Sequence, residues 1–189
     1  MSQQAPLEDA APTAHRRLRL LRVIGVFTVA LALNLLIIVL PRRWFVGWGR
    51  YGYIGVFLVT LLANASVFIP IPYPSMVARL AVELNTVGVA LLAASGSALG
   101  ETTAFLVGRA GKGVVEETAF YRWLKRQLRT PLRAFVVLFL LSAPPNPFFD
   151  VAGLTAGSLG VRFPIFVAAT FCGRIVRMFI LAYLGQAYL

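Results

Sequence analysis

Three apolar stretches along the chain, Val23–Leu40, Val87–Val107 and Phe163–Tyr188, are long enough to cross a hydrocarbon core. Such a crossing takes about 20 helical residues. Two further apolar stretches, Tyr51–Ile69 and Ala134–Ala143, run into proline clusters, Pro70-Ile71-Pro72-Tyr73-Pro74 and Pro144-Pro145-Asn146-Pro147. Proline lacks a backbone donor and its ring clashes with the preceding turn, so a helix stops at such a cluster. A short helical pattern follows each break, Ser75–Leu84 after the first and Phe148–Leu159 after the second. A helix, a break and a short return helix describe a re-entrant hairpin. Backbone exposed at membrane depth is tolerated only where protein buries it or a wet cavity lines it. The pattern predicts an all-α membrane protein, a helical bundle with two re-entrant hairpins and about three full spans.

The two halves repeat. An offset of 73 positions lays Pro72 on Pro145, Pro74 on Pro147 and Gly100 on Gly173, and sets Glu101 against Arg174. The expected organisation is a polar and basic tail over residues 1–22, a first transmembrane helix over 23–40, and one membrane domain over 51–189. Within that domain, repeat 1 covers about 51–108, a basic interfacial segment 109–133, and repeat 2 about 134–189. If the first hairpin opens to one side, Val87–Val107 carries the chain across and the second opens to the other. The repeats are then inverted, as in many transporters.

Composition agrees with a bilayer setting. Hydrophobic residues make up 59% of 189 positions and charged residues 13%, about half the charged share of a soluble domain. Arginines precede the first span, but Leu40-Pro41-Arg42-Arg43 follows it in place of a small-x-small cleavage site. That span is therefore expected to be retained. The net charge of +11 does not point to nucleic acid, because the cations cluster beside apolar spans. Arg16, Arg17, Arg19 and Arg22 precede the first span, and seven basic residues fall between Arg109 and Arg133. Such clusters mark cytoplasmic segments and attract anionic headgroups. The positive-inside rule thus sets the N-terminus in the cytoplasm, with Arg42, Arg43 and Arg50 on the opposite side. In Val115–Arg129, Phe120, Trp123, Leu124 and Leu128 share a stripe that the basic residues avoid, which predicts a helix lying in the interface.

Catalysis has little to work with. The chain's one histidine, His15, lies in the tail, and the one cysteine, Cys172, lies in an apolar run. Neither a Ser-His site nor a Cys/His metal cluster can be assembled at membrane depth. No enzyme, metal or cofactor is expected. The candidates for function are charges within spans, each costing about 2.5–3.5 kcal/mol on the insertion scale: Glu101, Arg174 and Arg177. Asn146 lies within the second break and Asp150 just after it. Arg174 and Arg177 share a helix face, and Glu101 is expected to face one of them. Asp150 stands in the first turn of a short helix, where it can also cap free N–H groups. Gly96, Gly100 and Gly173 are packing candidates, the first two at GxxxG spacing. Self-association as a homo-oligomer is open.

The run Gly96-Ser97-Ala98-Leu99-Gly100-Glu101, with Phe105, Gly108, Arg109 and Gly111, resembles a signature of the DedA/VTT (SNARE-associated, vacuole membrane protein-like) integral membrane family. The stretch PPNPFFDVAGLTAG, Pro144–Gly157, is similar to the eukaryotic vacuole membrane protein branch. Gly173 with Ala182-Tyr183-Leu184-Gly185 resembles the family's closing pattern. The resemblance spans about Tyr51 to Leu189. It implies hairpins that meet inside the membrane and scramblase- or flippase-like movement of phospholipid or polyprenyl-phosphate headgroups between leaflets. A scaffold that moves no lipid is the alternative. Bacterial members carry acids around the first hairpin, where this chain has Asn64 or Ala65, and Pro74. They carry arginines around the second, where it has Ser142 or Ala143, and Phe149. The departures imply uncoupled movement. The expected location is the plasma (inner) membrane of a prokaryote.

Overall fold

The computed structural model describes residues 24–25, 28–45, 47, 49–65, 71–111, 118–144 and 148–189. The basic tail, Pro70, Pro145, Asn146 and Pro147 lie outside the described residues. Eight α-helices are present among those described: α1 (Thr28–Val39), α2 (Gly49–Ala65), α3 (Tyr73–Glu83), α4 (Thr86–Ala110), α5 (Ala119–Gln127), α6 (Pro131–Ser142), α7 (Phe148–Ser158) and α8 (Phe163–Tyr188). Of these, α4 and α8 are long and apolar enough to cross a membrane. With 25 and 26 residues each exceeds the roughly 30 Å hydrocarbon core at 1.5 Å per residue. The short helices α3 and α7, of 11 residues each, reach about half that depth.

The helix boundaries correct three expectations. The end of the first apolar helix, expected at Ile69, falls among residues 66–70, outside the described residues, with α2 described through Ala65. Pro74 is not part of the break but lies in the first turn of α3, where its missing donor costs nothing. The second apolar helix, α6, starts at Pro131, with Thr130 as its N-cap, three residues before Ala134. The basic amphipathic helix is the shorter α5, capped by the Thr118 side chain on the Tyr121 N–H.

The helices α4 and α8 form the centre and run antiparallel. Phe105 near the end of α4 stacks on Phe166 near the start of α8, with centroids 4.6 Å apart. Glu101 meets Arg174 midway, and Thr86 at the start of α4 accepts from Gln186 near the end of α8. Around this pair the other helices pack in matching ways: α2 against α4, α6 against α8, α3 against α8, and α7 against α4. The short helix of each half thus rests on the long helix of the other half.

Glycines make these contacts close. A Cβ on Gly100 of α4 would strike the Leu61 carbonyl of α2, and one on Gly173 of α8 the Phe139 carbonyl of α6. The exchanged contacts match as well, with Gly108 of α4 under the Leu154 carbonyl of α7, and Gly185 of α8 under the Ala78 carbonyl of α3. Side-chain-free surface lets backbones approach in lipid, where no hydrophobic effect drives helices together. The GxxxG pair Gly96/Gly100 is thereby used within the chain, against α2.

Two apolar clusters result. One gathers Val56, Val77, Leu80, Val89, Ala93 and Met178; the other gathers Phe105, Leu124, Leu138, Phe149, Ala156 and Phe166. The outward faces are apolar too: Leu36, Ile54, Leu62, Leu99, Leu106, Leu140 and Ile180 are all exposed. Apolar surface of this extent marks a membrane or protein contact.

Candidate functional site

Between the two clusters lies a polar layer. Arg174 donates to Glu101 Oε1 in a pair that is 3% and 2% exposed at the side chains. The partners are 73 residues apart, which is the offset between the repeats, so equivalent positions of the two halves meet at the crossing of α4 and α8. Ser97 lies one turn before Glu101 and Thr170 one turn before Arg174; both are fully buried, and they too are 73 positions apart. Ser97 Oγ, Thr170 Oγ1, Thr155 Oγ1 of α7, Glu101 Oε2 and Arg174 Nε have no hydrogen-bond partner among the described residues. Nearly all such groups are matched in an ordinary core, and this buried layer leaves these five unmatched.

The residues just after each break close on neighbouring arginines of α8. The Arg174 guanidinium lies over the Phe149 ring at 5.1 Å, and that of Arg177 over the Tyr73 ring at 5.5 Å. Tyr73 opens α3 and Phe149 stands in the first turn of α7, so both short helices start beside the cations of α8. Asp150 follows, half-buried and within electrostatic reach of Arg174 and Glu101. A guanidinium over an aromatic face keeps its charge while exchanging water for the ring's negative surface.

The first break has a second support. Asn34 of α1 accepts from the Ser75 N–H at 3.2 Å, satisfying a first-turn donor of α3 that Pro72, its N-cap, leaves without a side-chain cap. Further along, Arg79 of α3 donates to the Leu40 carbonyl at the end of α1 and lies over Phe45 at 5.7 Å. The helix α1 therefore runs parallel to α3 and braces it.

The structure thus joins Glu101 to Arg174, sets Arg177 and Asp150 beside them, and uses Gly96, Gly100 and Gly173 for close packing. Pro72, Pro74 and Pro144 flank the breaks. Asn146, Pro70, Pro145 and Pro147 fall outside the described residues. Sequence reasoning missed Ser97, Thr170, Tyr73, Phe149 and Asn34. The first two were available from the same 73-residue offset, but a serine over a threonine is not an identity. The aromatic pair has a sequence signal only in its place just after each proline cluster.

A bundle with apolar outer faces, two helices of spanning length and a charged pair at its centre is a helical membrane protein. The chain belongs to the VTT-domain family, whose model matches residues 69–187, from the first break through α8. No curated protein and no solved structure matches the chain.

Proposed function

We infer that this protein moves lipid headgroups between leaflets, as a scramblase- or flippase-like transporter of phospholipid or polyprenyl phosphate. The observation that carries this is the Glu101–Arg174 pair at the crossing of α4 and α8, inside a polar layer and beside the starts of α3 and α7. The two short helices would form re-entrant hairpins of inverted orientation, since they belong to halves whose long helices run antiparallel. Their N-terminal ends carry the positive end of the helix dipole, which favours phosphate. With Arg174 and Arg177 they offer an anionic headgroup a polar station at mid-depth, while acyl chains stay in the bilayer along the apolar outer faces. The pair is closed to solvent in this conformation, so passage requires α3 or α7 to swing from the long helix of the opposite half. Bringing a headgroup to Arg174 would exchange Glu101 for phosphate. No covalent step is involved and the protein is not an enzyme on this reading.

The closed state of the pair favours a second reading, a membrane scaffold that moves nothing, in which the charges only fix packing. The double variant Glu101→Leu/Arg174→Met separates the two. Replacing both partners of a buried ion pair by apolar groups of similar size often leaves stability unchanged or raised. For a transporter this variant, reconstituted in liposomes, stays folded and loses scrambling of a fluorescent phospholipid that the wild type moves. A wild type that moves no lipid, or a folded double variant as active as wild type, overturns the transport reading.

The orientation we propose draws support from α1. It runs parallel to α3, toward the end of the bundle where α3 turns into α4, so its own start points to the opposite end. That opposite end is where Arg109, α5 and Arg162 lie. The arginines of the tail would join this basic face, and the positive-inside rule sets it in the cytoplasm. We place the protein in the plasma membrane of a prokaryote on the same reading.

A further inference from the structure

The helix α5, the start of α6 and the turn from α7 into α8 enclose a cavity of about 500 Å³ lined by Lys125, Arg129, Arg162, Leu128, Leu159 and Ile165, among others. A shallower hollow of about 280 Å³ on α5 adjoins it, lined by Arg122, Lys125, Arg126 and Arg129. Three cations thus meet over an apolar floor. The segment from Arg109 to Arg133 carries seven basic residues against two acidic ones, Glu116 and Glu117, and these two lie outside the described residues. None of Lys125, Arg129 and Arg162 has an ion-pair partner among the described residues. The helices α6 and α8 both begin at this cavity, and neither has a side-chain cap on its first turn.

The chemistry selects an amphiphile with an anionic head. Guanidinium groups bind phosphate oxygens through paired N–H donors, while Leu128, Leu159 and Ile165 would be wasted on a small hydrated anion. The surroundings place the cavity at a bilayer surface. Phe120 and Trp123 stack at 5.8 Å beside it, Trp123 being 43% and Leu132 75% exposed. Aromatic and apolar side chains next to cations at a bundle end characterise the interfacial plane. Arg162 precedes Arg174 by twelve positions on α8, about 18 Å along the helix, so the cavity is separate from the mid-membrane pair.

We propose that this cavity is a binding site for the headgroup phosphate of an acidic phospholipid from the adjoining leaflet. A zwitterionic lipid presents a choline cation to three like charges and is disfavoured. The site holds α5 to the membrane and ties it to the start of α8. It requires a membrane setting but not lipid movement, and binding can succeed or fail whatever the transport assay returns.

The test is native mass spectrometry of the full chain in detergent, titrated separately with phosphatidylglycerol, phosphatidylcholine and inorganic phosphate. Phosphatidylglycerol should stay bound in preference to phosphatidylcholine, and excess inorganic phosphate should not displace it. In Arg129→Gln/Arg162→Gln its affinity should fall about tenfold or more, at roughly one decade or a little less per basic contact near the surface. Arg43→Gln/Arg50→Gln, at the other end of the bundle, should bind as wild type does. Equal retention of the two lipids, displacement by free phosphate, or undiminished binding by the folded double variant would each overturn the proposal. Should that variant fail to fold, Lys125→Gln replaces it, with a smaller drop in phosphatidylglycerol affinity expected and none overturning the site.

Discussion

Glu101 and Arg174 are tied to each other more tightly than to anything else described. Neutralising one of them strands the other in a layer nearly closed to water. Glu101→Gln and Arg174→Gln should each destabilise the protein by about 3–5 kcal/mol, the range for a broken buried pair. Thermal unfolding in detergent checks this. The exchange Glu101→Arg/Arg174→Glu should recover part of the loss, and two single variants of wild-type stability would refute the pairing. The cost of burying charge made these residues visible in the sequence, where an acid fourteen residues into an apolar run stands out. Ser97 and Thr170 carry no charge, and small hydroxyls abound in membrane helices. Only the antiparallel crossing of α4 and α8 shows that they flank the same pair.

At the scale of elements, the contacts between helices rest on glycine faces whose neighbours are carbonyls. A backbone cannot step aside as a side-chain tip can. Gly108→Ala and Gly185→Ala should each cost about 1–3 kcal/mol, the usual penalty of overpacking, whereas Gly25→Ala, which meets nothing within 4 Å, should be neutral. Comparable losses at all three positions would contradict the packing. The helix α5 makes a different claim: Leu124 is buried, while Trp123 and the cations face outward. In a variant with Trp44 and Trp48 replaced, Trp123 fluorescence should be quenched strongly by lipid-borne quenchers and weakly by iodide. The converse would remove α5 from the interface. Most helices were legible from apolar runs, and Phe163–Tyr188 matches to the residue. The starts of α3 and α6 shifted for a local reason, since proline stops a helix from its interior but starts one at the first turn. Pro74 and Pro131 are of the second kind.

At the scale of the molecule, orientation can be read by labelling single cysteines introduced in a Cys172→Ser background. An impermeant maleimide added outside intact cells should label Asn85→Cys, at the turn between α3 and α4, and spare Thr130→Cys beside the basic cavity. The reverse pattern would invert the assigned topology. The internal repeat was visible in the spacing of prolines and glycines. The exchange of short helices between halves was not, because it depends on pairings between segments about fifty (α4 and α7) and about a hundred (α3 and α8) residues apart, to which no local pattern is sensitive. That exchange has a consequence for synthesis. When Glu101 joins the growing chain, its partner is still 73 residues from being made. At about 5–20 residues per second it arrives some 4–15 s later. Until then α3 has no α8 to lie on and an acidic helix waits in lipid without its counter-ion. The first half of the chain is therefore an orphan at birth, dependent on insertion machinery or chaperone cover. Expressed alone it should be degraded, and co-expression of the second half as a separate chain should rescue it.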